Sequence, residues 1–179
     1  MKKKQIMIIG ISIAALVLSF FFDHFLTRAI EDVQNPLIYF LFDVGGHVIT
    51  ILLVLFIVPL YLTKKKKAVP LFVVILITSL VVGMILKEVI GRDRPFDIMF
   101  IPFLHIVDYS FPSLHTLISF SLATVAARFV PRYQAYWYGY ALFVGVSRVY
   151  LEAHYLSDVI AGALIGYLIA DAVIALWRN

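Results

Sequence analysis

The sequence predicts an all-α polytopic membrane protein with six transmembrane helices, and three observations carry that prediction. Of its 179 residues 63% are hydrophobic and 15% are charged, with a mean hydropathy of +0.98. A soluble domain has roughly half its residues apolar and about a quarter charged. The apolar residues fall into six runs, each near the roughly 20 residues that a helix needs to cross hydrocarbon. Lysine and arginine gather at the ends of those runs, where they set membrane orientation. The length suits one domain over residues 1–179.

The first run extends from Ile6 to Phe22 and on towards Ile30, behind Lys2, Lys3 and Lys4. It has the charged start of a signal peptide but no small-x-small cleavage site, so it reads as a retained anchor. Asp23 to Gly46 is too polar for a span and too aromatic for a free loop. It is expected to lie in the outer interface as an elbow broken at Pro36. The second run covers His47 to Leu62 and the third Ala68 to Leu86. The connection from Gly91 to Phe111 is the longest in the chain and rich in aromatics, fitting an interfacial loop or a lid for a lipid substrate. The last three runs are His115 to Val130, Gln134 to Val149 and Leu156 to Trp177.

With the N-terminus inside, ten basic residues face the cytoplasm: Lys2 to Lys4, Lys64 to Lys67, Arg128, Arg132 and Arg178. Five face out: Arg28, Lys87, Arg92, Arg94 and Arg148. This distribution obeys the positive-inside rule and places both termini in the cytoplasm of a multi-pass cell-membrane protein. It also explains the +4 net charge without a nucleic-acid partner. The chain has no cysteine, which excludes disulfides, thiolate metal sites and cysteine nucleophiles.

Three polar blocks interrupt this lipid-like chain, and all of them map to the outer face. In the first, Lys87 ends the third run and Arg94-Pro95 follows. A lysine at a helix end also serves as a snorkelling anchor, and Arg92 with Asp93 could form a surface pair. Arg94 offers a planar fork suited to bidentate phosphate contact. In the second block, Pro112-Ser113-Leu114-His115 opens the fourth run. One reading is a helix cap. The other is an anion site, with Ser113 and the amide near Leu114 cradling phosphate oxygens at a helix N-terminus and His115 within reach of a leaving oxygen.

The third block joins Ser147-Arg148 to His154 and Asp158. Four residues apart, the last two share a face on a helix. They form either a structural pair or a carboxylate that fixes the imidazole tautomer and leaves Nε2 free as a nucleophile. Arg148 adds a second fork, with Ser147 beside it to cap or orient it.

Together, Lys87-x6-Arg94-Pro95, Pro112-Ser113-x-His115 and Ser147-Arg148-x5-His154-x3-Asp158 resemble the motifs of the type 2 phosphatidic acid phosphatase family. The soluble relatives of that family include acid phosphatases and vanadium haloperoxidases. The resemblance covers Lys87 to Asp158 and implies a haloperoxidase-like helical core. One departure is Leu114, where the family usually has glycine; the backbone amide survives the change, and the substrate preference is what it affects. The resemblance implies that His154 attacks phosphorus and forms a phosphohistidine, oriented by Asp158. His115 would protonate the leaving group and then activate water. Lys87, Arg94, Ser113, Arg148 and the Leu114 amide would hold the equatorial oxygens. With three fixed cations in place, no metal and no cofactor is expected.

The implied activity is hydrolysis of a lipid phosphate or diphosphate in the bilayer. A polyprenyl diphosphate carrier such as undecaprenyl or dolichyl diphosphate is favoured, ahead of phosphatidylglycerophosphate and phosphatidate. A lipid phosphotransferase would use the same site. A transporter or flippase would place binding groups near the midplane, whereas Leu71–Leu86, Thr116–Ala127, Ala135–Val146 and Val159–Ala170 carry no charge.

Overall fold

The computed structural model describes residues 3–55, 68–95 and 109–177. Within them the chain forms six α-helices: α1 (Lys3–Glu31), α2 (Pro36–Leu55), α3 (Ala68–Ile90), α4 (Leu114–Phe129), α5 (Gln134–Tyr150) and α6 (Leu156–Trp177). A 3₁₀ turn, Pro131–Tyr133, joins α4 to α5. Among the described residues three segments are long and apolar enough to cross a membrane, Ile6–Glu31, Val69–Ile90 and Leu156–Trp177; Pro36–Gly46 and Leu114–Phe129 are shorter apolar stretches. Lys64 to Lys67, the end of the second run, and Phe96, Met99, Phe100 and Phe103 lie outside the described residues.

The start of the chain departs from the expected interfacial elbow. Helix α1 runs through Asp23 without a break, and α2 begins at Pro36 rather than at His47. Asp23 is tolerated there because it is buried against polar partners, Arg92 and Ser157. Pro36 opens a helix instead of breaking one, since its fixed φ and missing N–H suit the first helical position. Asn35 caps that helix, its side-chain oxygen receiving the N–H groups of Leu37 at 2.9 Å and Ile38 at 3.3 Å.

Helix α3 ends where Gly91 takes φ +59 and returns its N–H to the Lys87 carbonyl at 2.9 Å. This is the left-handed turn that glycine makes at low cost. A cis peptide bond joins Phe111 to Pro112 just before α4.

Helices α4 and α6 meet through glycines spaced four apart. A Cβ on Gly162 would lie 2.7 Å from the Ser113 carbonyl oxygen, and one on Gly166 would overlap the Leu117 carbonyl. Small residues let two backbones approach this closely. The apolar core sits towards one end of the bundle, with Leu71, Phe72 and Ile75 from α3, Ile118, Leu122 and Val125 from α4, and Ala170 and Ile174 from α6. At 1.5 Å per residue, Ile75 and Lys87 are about 18 Å apart along α3. The buried charges therefore collect at the opposite end from the core.

Candidate active site

The last turn of α3, the N-terminus of α4, the last turn of α5 and the N-terminus of α6 converge at that end. Lys87, Ser113, Arg148, His154 and Asp158 are all buried there. The Ser113 N–H donates to the Asp158 carbonyl at 3.0 Å, joining the starts of α4 and α6. Lys87 Nζ donates to the Tyr109 carbonyl, and Arg94 Nη1 to the Ala153 carbonyl at 2.7 Å. The backbone N–H groups of Ala153 and His154 both point at the Arg148 carbonyl, at 3.1 and 3.2 Å. The bonds of Arg94 and Arg148 tie these two residues to the turn that carries His154.

Ser113 stands at the N-cap of α4 without making a side-chain cap. Its hydroxyl instead accepts the Thr116 hydroxyl at 3.0 Å, so the capping reading does not describe it. Leu114 turns towards α3, among the apolar side chains packed on the core. The residue that replaces the family's usual glycine thus directs its bulk away from its own amide. His115 is half-buried in the first turn of α4.

The Arg148 guanidinium is held by α2 as well as α5. Nε donates to Ser147 Oγ at 3.2 Å, and Nη2 to the Phe42 carbonyl at 3.4 Å. Ser147 therefore orients the arginine, while its own hydroxyl donates to the Val144 carbonyl at 2.7 Å.

His154 sits in the turn before α6 rather than on the helix, and Asp158 lies in its first turn. Nδ1 of His154 is 3.7 Å from Asp158 Oδ2 and has no hydrogen-bond partner. That separation exceeds a hydrogen bond. Burial lowers the His154 pKa, the Asp158 contact opposes this, and the cations Arg94 and Lys87 reinforce it. Burial thus favours the neutral imidazole.

The turn itself is tethered from the link between α1 and α2. Glu152 takes φ 53 and accepts the Gln34 side-chain amide at 2.8 Å, and the Tyr150 hydroxyl accepts the Asn35 N–H at 2.9 Å. A non-glycine residue in the left-handed region carries strain that surrounding contacts must hold.

Two site residues escape the motif reading. Arg92 makes no surface pair with Asp93; it donates to Asp158 Oδ1 at 2.7 Å and to Asp23 Oδ2 at 2.8 Å. An ionisable residue inside an apolar run was the available signal for Asp23. Among the described residues, no three His, Cys, Asp or Glu side chains group so as to hold a metal ion.

Cations and a helix N-terminus thus converge on a His–Asp pair. A family model described as PAP2 superfamily matches residues 67–179. The chain belongs to the PAP2 superfamily. As a PAP2 protein it is a phosphatase, and its long apolar helices make it a membrane protein. This PAP2 chain is similar to the bacitracin transport permease protein BcrC of Bacillus licheniformis, with 32% identity over 152 residues that span 80% of this chain and 70% of the relative. It is 32% identical over 103 residues to phosphatidylglycerophosphatase B of Bacillus subtilis, across 51% of this chain and 49% of that protein. The crystal structure of Aquifex aeolicus LpxE shares the fold, with a TM-score of 0.72 and 25% identity over 86% of this chain and 94% of that one.

Proposed function

We propose that this protein hydrolyses a lipid phosphate or diphosphate through a phosphohistidine at His154. One observation carries the reading: a buried His–Asp pair stands beside Lys87, Arg94, Arg148 and the α4 N-terminus. In the first step neutral His154 Nε2 attacks phosphorus and the lipid oxygen leaves with a proton from His115. In the second, His115 takes a proton from water, which attacks the phosphohistidine and frees phosphate. Asp158 faces Nδ1 and stabilises the imidazolium that forms. Lys87, Arg94, Arg148, Ser113 and the Leu114 amide hold the equatorial oxygens as charge moves onto them. These fixed donors supply the charge stabilisation, so the reaction proceeds without a metal.

A single domain of six membrane-crossing helices, with both termini in the cytoplasm and the site on the outer face, suits a substrate whose head group lies in the interface. A polyprenyl diphosphate is the favoured substrate, in line with the bacitracin-associated relative; phosphatidylglycerophosphate, the substrate named for the Bacillus subtilis relative, comes next. The word permease in the first relative's name raises transport as a second reading. The end-on position of the charges favours chemistry, because transport sites lie near the midplane.

The deciding assay is phosphate release in detergent from undecaprenyl diphosphate, phosphatidylglycerophosphate and phosphatidate with EDTA present. Release with EDTA, blocked by orthovanadate as a mimic of five-coordinate phosphorus, is expected. Activity lost to EDTA and restored by magnesium would sink the metal-free mechanism. Transfer to an added lipid alcohol in place of water would make the enzyme a phosphotransferase.

A further inference from the structure

The proposed chemistry uses Asp158 but gives no role to the two charged residues behind it. Arg92 spans them. Nη1 donates to Asp158 Oδ1 at 2.7 Å and to Ser157 Oγ at 2.6 Å, while Nη2 donates to Asp23 Oδ2 at 2.8 Å. Its guanidinium also lies 4.0 Å from the Tyr155 ring centroid. Asp23 is 1% exposed and receives the Ser157 N–H at Oδ1 (2.9 Å) and the Ser157 hydroxyl at Oδ2 (2.5 Å). The far oxygen of Asp158 accepts the Tyr155 N–H at 2.9 Å and faces His154 Nδ1. A continuous line of alternating charge therefore runs from α1, through the segment after α3, to the N-terminus of α6 and the imidazole.

We propose that Asp23 and Arg92 are positioning residues for the nucleophile. Arg92 clamps Asp158 in the orientation that faces His154, and Asp23 anchors Arg92 while offsetting its charge. The inference rests on the phosphohistidine reading above. Its physical basis is cost. Two carboxylates and a guanidinium taken out of water are expensive, and apolar side chains of similar volume often hold helices together as well or better. A line of charge that ends on an imidazole does something such packing cannot: it sets both the angle and the proton affinity of that ring.

The two residues act on His154 with opposite sign. Removing the positive charge of Arg92 leaves Asp158 more negative towards the imidazole, which then holds its proton more tightly. Removing the negative charge of Asp23 leaves Arg92 uncompensated, which drains Asp158 and loosens that proton. The other charged and titratable groups of the site are Lys87 on α3, Asp93 and Arg94 after it, His115 on α4, Arg148 on α5, Glu152 and Tyr155 in the turn before α6, Tyr39 and Asp43 on α2 beside Arg148, and His24 on α1, packed against Tyr155. They are the same in every variant, so the signed difference survives them.

The test is the pH profile of kcat/KM for the full chain in detergent, comparing wild type with Asp23→Asn, Arg92→Gln, Arg92→Lys and the double variant D23N/R92Q. Each neutral single variant should lose about 10²-fold in kcat with KM little changed, as expected when a reacting group is displaced by around 1 Å. The acid limb should rise by about one unit in Arg92→Gln and fall by about one unit in Asp23→Asn, the size a single neighbouring charge produces. The double variant should return towards the wild-type limb, and Arg92→Lys should restore it in part. Folded variants whose limbs stay in place, or move in the same direction, overturn the proposal. Should Asp23→Asn fail to fold, the Arg92→Gln and Arg92→Lys pair decides alone, by a limb raised in one and restored in the other. A wild type that releases no phosphate from any lipid overturns the phosphatase reading and this inference with it. An active wild type with unmoved limbs overturns this inference only.

Discussion

The side chain of Leu114 fills the space that a methyl group on Gly83 would need, so the two residues form a knob and notch between α4 and α3. The larger residue in the phosphate-binding motif is thus matched by a missing side chain on the neighbouring helix. Leu117 Cδ1 also borders the notch, 3.4 Å from the position of that methyl.

Gly83→Ala should therefore push Leu114 back and shift the first turn of α4. Overpacking of this kind typically costs about 1–3 kcal/mol, visible as a lower melting temperature in detergent, with a loss of turnover. Leu114→Ala in the same chain should recover both. A double variant no better than Gly83→Ala would show that the notch does not serve Leu114.

A second glycine guards an arginine. A Cβ on Gly46 of α2 would strike Arg148 Nη2 and come within 2.7 Å of Ser147 Oγ, whereas nothing lies within 4 Å of one on Gly139. Gly46→Ala should displace the guanidinium and raise KM for the lipid phosphate, with orthovanadate inhibition weakened in step. Gly139→Ala is the control and should behave as wild type. Equal vanadate affinity in Gly46→Ala and wild type would remove Arg148 from the phosphate cradle.

The two histidines should separate by leaving group. His154→Ala should be inactive on every substrate and form no phosphoenzyme. His115→Ala should lose the roughly 10²- to 10⁴-fold that a general acid contributes. An aryl phosphate, which leaves without protonation, should rescue the first step in His115→Ala alone. Because burial, with Arg94 and Lys87, lowers the His154 pKa, the neutral nucleophile persists as pH falls. The acid limb of kcat/KM should then lie below the ordinary histidine value of about 6.5. A limb above it, or activity in His154→Ala beyond a few per cent, contradicts the assignment.

Topology can be read with single cysteines, since the chain has none of its own. In intact cells an impermeant thiol reagent should label Asp97→Cys and spare Lys65→Cys. The reverse pattern would turn the site to the cytoplasm and overturn the proposed orientation.

Much of this molecule was legible from local signals. The lengths of the apolar runs anticipate where α3 to α6 stand, and Lys87, Arg94, Ser113, Arg148, His154 and Asp158 do gather at one end. The beginning of the chain was less legible for a physical reason. Asp23 reads as polar, hence interfacial, when its own neighbours are the only context. Its partners Arg92 and Ser157 lie 69 and 134 residues away, and they are what make a buried carboxylate acceptable inside α1. Proximity in sequence likewise offers Asp93 as one partner for Arg92, while the fold pairs it across the bundle. The Gly162–Gly166 seam is written in the sequence, but its meaning depends on α4 lying against it.

The distance between the apolar core and the charged end divides the chain's tolerance for change. Phe72, Leu122 and Ile174 hold the helices together far from His154, so substitutions around them are felt as stability and leave the reacting geometry alone. At the other end hydrogen bonds and ion pairs, beside ring contacts such as Phe42 on Tyr150, fix each position. Sequence drift can therefore accumulate in one half of the bundle while the other half, where each charge is matched to a specific neighbour, permits almost none.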